Sequence, residues 1–271
     1  MKRKNENVSK QHALFLKAQK KKSAVITLCR IGFLLLLVAL WEVFTRIGVM
    51  DAFITSSPTR ILSTMKSLFS EQGYLTHIGV TLYETLLGFA VATLLGTVIA
   101  VGLWWSESLK RIFEPYLVVL NSLPKIALGP VIIVWFGTGM KSIVFMTVLV
   151  TVIVTVMTMQ NGFSEVDEGK VFLMRSLGAK KGQIFTKLVA PAALPSFISM
   201  LKINVGMSWI GSIMGEYLAS RAGLGYLIVY GGQVFKLDLV MAATVTLCVL
   251  AGGMYFLVAG LEKVLLKKIG K

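Results

Sequence analysis

Six long apolar runs divide this chain, at about 24–49, 77–105, 112–136, 140–160, 194–219 and 238–262. Each reaches the roughly 20 residues that an α-helix, rising ~1.5 Å per residue, needs to cross a hydrocarbon core. Backbone inside a bilayer must satisfy its own hydrogen bonds, so only helices and closed barrels can span it. Barrel strands alternate apolar and polar positions over about ten residues, and residues 143–156 show no alternation. Charged residues make up 15% of the chain, where soluble domains carry about 25%. The expected fold is therefore all-α, a polytopic membrane protein with six transmembrane helices. Its parts are a basic tail (1–23), a transmembrane domain (24–262) and a basic end segment (263–271).

The formal net charge of +15 would suit a nucleic-acid partner, but its distribution argues against one. Residues 1–22 carry eight bases, and Lys110 and Arg111 lie between the second and third runs. The 161–192 loop adds five, and Lys263, Lys267, Lys268 and Lys271 follow the last run. Nineteen of the 28 bases thus fall on one side of a six-span arrangement. The other side holds few: Arg46, Arg60, Lys66, Lys141, Arg221 and Lys236. Cytoplasmic loops are enriched in Lys and Arg, which places both termini and the long loop in the cytoplasm. The first run is too long for a secretory signal and lacks a small-x-small cleavage site, so it is expected to remain as a span. Cys29 and Cys248 have no ligand spacing and are expected to be buried thiols.

Two spans carry unusual polarity. The third contains Pro115, Pro124 and Pro130, with Lys125 at its middle. Proline removes a donor and crowds the preceding turn, so an unbroken helix is not expected. Broken helices at membrane depth survive where they are buried in protein or line a wet cavity. Asn121, Ser122 and Lys125 are therefore candidates for a translocation path, with a kinked, packed helix as the alternative. In the fifth span Asn204, Ser208, Gly211, Ser212 and Gly215 fall along roughly one face. Gly211 and Gly215 form a GxxxG that permits close helix approach. Asn204, Ser208 and Ser212 are either path-lining groups or interhelical ties. Glu216, near the outer end, is an outer-gate or structural residue. Between the first two spans, TRILSTMKSLF repeats apolar residues at helical spacing and predicts a short interfacial helix.

The segment 161–195 looks like soluble protein between two apolar runs. It offers a short helix from about 165 to 177, a turn at Gly178-Ala179, and Pro191 and Pro195 before the next span. A membrane protein that keeps one compact loop on one face presents it to a partner there. Chemistry of other kinds is missing from the sequence. The nearest fragment to a phosphate-cradling loop, GTGMKS at 137–142, has Met140 in place of a required glycine. His12 and His77 lack metal-ligand spacing. No cofactor, metal or catalytic role is expected of this chain. An ATP-independent channel or secondary transporter, and a membrane enzyme acting on lipid-linked substrates, remain as alternatives.

The long loop resembles the coupling loop of binding-protein-dependent ABC importer permeases. That pattern is Glu-Ala-Ala, three residues, Gly, nine residues, Ile-x-Leu-Pro. Gly178 matches the glycine, Leu188 the isoleucine and Pro191 the proline. Phe172-Leu173-Met174 stand where Glu-Ala-Ala is expected, Ala190 replaces the leucine, and Glu168 is the acid one turn earlier. Three other stretches, GVTLYETLLGFAVATLLGTVIAVGL, EPYLVVLNSLPKIALGPVIIVWFGTGMKS and GEYLASRAGLGYLI, are similar to the branch serving nitrate, sulfonate, taurine and pyrimidine-precursor uptake. The resemblance implies a type I importer permease in a bacterial cell membrane, acting as a homodimer. It also implies two ATP-binding subunits and an extracytoplasmic substrate-binding protein as partners. The implied ATPase contact comprises Glu168, Val171, Phe172, Leu173, Met174, Gly178, Ala179, Leu188 and Pro191.

Overall fold

The computed structural model describes residues 10–70 and 72–268, and among these all regular structure is helical. Parts of both basic end segments, 1–9 and 269–271, lie outside the described residues. Contacts divide the chain into two units, Met1–Thr64 and Met65–Lys271.

In the first unit, α1 (Lys10–Arg46) contains the first span, Phe15–Arg46. The helix begins within the basic segment expected as a separate tail, so residues 10–23 continue directly into the span. Its apolar side chains point outward along most of its length, as suits lipid. Glu42 secures its end by pairing with Arg46 at 2.7 Å. The same carboxylate accepts the Thr59 N–H at 3.1 Å and the Thr59 hydroxyl at 2.9 Å. Asp51 caps the short α2 (Ala52–Thr55) by accepting the Phe53 N–H at 2.8 Å. The stretch expected from sequence to form a short helix does so as α3 (Pro58–Ser70), on which Ile61 is buried.

The second unit is built on three spans: α4 (Gln72–Trp105), α7 (Met140–Ser164) and α11 (Leu194–Ala219). α7 makes extensive contacts with both of the others. Glycines explain the fit. A Cβ on Gly96 of α4 would sit 2.6 Å from Thr155 Cβ. On α11, a Cβ on Gly211 would sit 2.6 Å from Thr147 Cα, and one on Gly215 2.8 Å from Ile143 Cα. Small residues on both flanking helices thus let the backbone of α7 approach closely, which drives association where lipid offers no hydrophobic gain. Two α7 threonines supply polarity here with their own donors satisfied. Thr147 and Thr155 return their hydroxyls to the carbonyls one turn back, each at 2.9 Å.

The third apolar run does not form one straight helix. α5 (Glu107–Ser122), a 3-10 turn (Lys125–Leu128) and α6 (Gly129–Phe136) follow in sequence, and the two arms bend by 88°. Pro124 is the cause: Leu123 before it is extended at φ −66°, ψ 136°, as a residue preceding proline prefers. Pro115 lies inside α5 without breaking it, and Pro130 sits in the first turn of α6, where no N–H is needed. α12 (Leu224–Gln233) and α13 (Leu237–Lys268) complete the unit. Lys202 on α11 joins Glu262 on α13 at 2.6 Å.

Both cysteines depart from the expectation of burial. Cys29 and Cys248 are exposed on α1 and α13. A thiol is apolar enough to face hydrocarbon, so membrane surface substitutes for protein core.

Candidate coupling segment and transport face

α8 (Glu168–Ser176) starts where Asp167 accepts the Lys170 N–H at 3.2 Å, with Glu168 in the first turn. Both satisfy or complement the free N–H groups of a helix start. It ends in a paired motif: Gly178 N–H bonds to the Arg175 carbonyl at 2.9 Å and Ala179 N–H to the Met174 carbonyl at 3.0 Å. Gly178 has φ +80°, the left-handed value that this helix stop requires. The next helix is α9 (Lys181–Ile184), with Gln183 Oε1 accepting the Lys180 N–H at 2.8 Å. A wide π turn over Phe185–Val189 follows, then α10 (Ala190–Ala192) and α11. Ala190 N–H reaches the Phe185 carbonyl, five residues back. In a tight α-turn the Pro191 ring would crowd the Lys187 carbonyl, and the wide turn relieves that clash.

Helical periodicity sorts the apolar residues of α8. Val171 and Met174, with Ala179 and Leu188, pack against a core of Met159, Phe163, Ile184, Val189 and Met200. Val171 and Met174 are half-buried, turned toward the chain's own core. Phe172 and Leu173 point outward, 72% and 59% exposed. Leu177, 77% exposed, joins them although sequence reasoning does not single it out. Its position four residues beyond Leu173 is the available signal. Glu168, Gly178 and Pro191 are also exposed. Beside α8 lies a cavity of about 880 Å³ bordered by Glu107, Lys110, Ser164, Val166, Phe172 and Arg175. Cross-links hold this end together: Lys110 Nζ to Ser164 Oγ at 3.0 Å, Ser196 Oγ to Glu165 Oε2 at 3.2 Å, and Gln160 Nε2 to the Ala100 carbonyl.

The six candidate path residues fall into two groups. Asn204, Ser208 and Ser212 are fully buried between helices. Asn204 Nδ2 lies 3.0 Å from Thr93 Oγ1 on α4 and 2.9 Å from Thr155 Oγ1 on α7. Ser208 Oγ lies 3.5 Å from Thr151 Oγ1. Asn204 and Ser208 thus tie α11 to α4 and α7, whereas the buried Ser212 hydroxyl has no hydrogen-bond partner among the described residues. Asn121 and Ser122 are exposed at the end of α5, and Lys125 is half-buried just beyond the break. Lys125 Nζ donates to the Asn121 carbonyl at 2.9 Å, satisfying one of the free carbonyls at the end of α5.

At the opposite end, Glu216 is 1% exposed and its Oε2 accepts the Gly225 N–H at 2.6 Å. It thereby caps α12 from α11. Two α4 residues complete the cap: His77 Nδ1 accepts the Gly223 N–H at 2.9 Å and Thr81 Oγ1 the Leu224 N–H at 2.7 Å. His77 and Thr81 are one turn apart, so a single face of α4 serves this loop. Sequence alone makes His77 a residue at a membrane edge and leaves Thr81 unmarked, because their partners lie more than 140 positions away.

Long apolar helices around a glycine-lined centre, a broken third segment and a structured loop at one end define a multi-pass transport permease. Residues 92–271 match the family described as binding-protein-dependent transport system inner membrane component, and the chain belongs to that family. It is 34% identical over 194 residues to the formylaminopyrimidine transport permease protein ThiX of Halalkalibacterium halodurans, covering 72% of this chain and 77% of that one. It is 29% identical to the putative aliphatic sulfonates transport permease protein SsuC of Bacillus subtilis, covering 85% and 84%. Its fold matches a structure of the MetNI methionine ABC transporter in an inward-facing conformation. There the TM-score is 0.62 at 19% identity, over 72% of this chain and 98% of that one. The protein is an ABC importer permease of the cell membrane, with the type I importer fold expected from sequence.

Proposed function

We propose that this chain forms the translocation path for a small polar or anionic solute and couples it to ATP hydrolysed on separate subunits bound at α8. The observation that carries the reading is the outward apolar patch of Phe172, Leu173 and Leu177 on a helix whose opposite face is locked into the chain's own core. Water-exposed phenylalanine and leucine on a fixed helix favour insertion into a partner groove. The relatives carry a formylaminopyrimidine and aliphatic sulfonates, by their names, and the solute here belongs to that range of sulfonate, nitrate, taurine or pyrimidine-like compounds. Two copies of the chain enclose the path, with the exposed bend at Asn121, Ser122 and Lys125 facing it. The substrate-binding protein docks at the end capped by Glu216. The chain itself hydrolyses nothing.

The test is reconstitution in proteoliposomes with a cognate ATP-binding subunit, with and without Phe172→Asp. A carboxylate in the apolar contact should abolish co-purification and ATP-driven uptake while the permease remains folded. Normal complex formation and uptake by that variant would refute the docking site. Solute flux without ATP would replace the importer reading with that of a channel or secondary transporter.

A further inference from the structure

The covalent route from α8 to the membrane runs through the π turn at Phe185–Val189 into α11. A turn with widened hydrogen bonding next to proline is a poor rigid rod. A second connection runs sideways. Lys181 and Phe185 are four residues apart, hence on one helix face, and both hold the last turn of α4. Lys181 Nζ donates to the Trp105 carbonyl at 2.7 Å, a group left without an intrahelical partner at the helix end. The same ammonium lies 5.5 Å from the centre of the Trp104 ring, within cation–π range. The Phe185 ring stands 4.9 Å from Trp104, 6.1 Å from Trp105 and 5.7 Å from Phe163 of α7. Lys181 of α9 and Phe185, the first residue of the π turn, therefore grip the ends of two spans that they follow in sequence.

We propose that Lys181 and Phe185 are positioning residues that form a second transmission arm, passing movement of the coupling helices laterally into α4 and α7. The proposal rests on ATPase docking at α8 and adds that α11 alone does not carry the stroke. Without the arm, the ATPases close and hydrolyse while α4 and α7 lag, so nucleotide is consumed without transport.

The experiment measures solute imported per ATP hydrolysed in proteoliposomes holding the complete transporter. The variants are Phe185→Leu, Lys181→Met and Lys181→Arg, each checked for co-purification of the ATP-binding subunit. Leucine keeps an apolar side chain but removes the ring contacts, and arginine keeps both the donor and the cation–π partner. The expected result is retained assembly, a roughly tenfold lower import-to-ATP ratio for Phe185→Leu, a smaller fall for Lys181→Met, and recovery in Lys181→Arg. A merely structural role would lower yield without changing that ratio. If assembled complexes of Lys181→Met and Phe185→Leu keep the unaltered ratio, the arm is overturned and docking at α8 stands. If the unaltered chain itself fails to bind the ATP-binding subunit, the docking reading falls and the arm with it.

Discussion

Replacing Gly211 by alanine tests the claim that backbone contact between α7 and α11 organises the bundle. The new Cβ would lie 2.6 Å from Thr147 Cα and 3.3 Å from Thr147 N. Both are backbone atoms, so no side-chain rotation relieves the overlap. Carbon atoms settle about 3.5–4.0 Å apart, which forces the helices to separate by about 1 Å. A gap of that size forfeits roughly a quarter to a half of each facing contact. It also stretches the Ser208–Thr151 approach, already 3.5 Å. Overpacking of this kind costs about 1–3 kcal/mol, and a loss near 2 kcal/mol corresponds to a shift of roughly 30-fold in the unfolding equilibrium. Gly206→Ala on the same helix is the control, because nothing lies within 4 Å of the place its methyl group would take. There the change should be neutral or stabilising by about 0.5–1 kcal/mol through helix propensity. Denaturant titration of both variants in mild detergent, followed by helical circular dichroism, reads the difference. Equal stability of the two would refute the close-approach argument.

Two further outcomes follow from the polar contacts. Asn204→Leu keeps the volume but removes the ties to Thr93 and Thr155, and should destabilise the bundle by about 0.6–1.7 kcal/mol. A double-mutant cycle with Thr155→Val should recover most of that as coupling. Glu216→Leu leaves the buried Gly225 N–H without its acceptor, at about 1–3 kcal/mol. Amide exchange over 223–227 should rise sharply while exchange in α7 stays unaltered, with Glu216→Gln intermediate because it retains a carbonyl acceptor.

Much of the architecture is legible in the order of the amino acids, and the exceptions share a cause. The spans agree closely with the apolar runs, since length and hydropathy are local properties that a bilayer selects directly. Gly178 reads as a turn because its neighbours form a helix that must stop there. Proline announces a break in the third run, but which proline matters depends on what packs around each. Pro115 is accommodated within α5 and Pro124 is not. Hydropathy puts both cysteines in apolar runs and wrongly inside the protein, because it does not distinguish lipid from core.

The residues of α8 divide in the same way. Their apolar character is plain from sequence. The separation of Val171 and Met174 from Phe172 and Leu173 is decided by the neighbouring ends of α4, α7 and α11. By itself, then, the sequence determined that this is a helical membrane protein with a structured loop between two spans, because apolar length, backbone self-satisfaction and turn chemistry act within short windows. Tertiary structure decided which polar groups tie helices together, which carboxylate caps α12 and which apolar side chains of the loop remain exposed. Those choices join residues from nine to well over a hundred positions apart, and only packing can bring their donors and acceptors within about 3 Å.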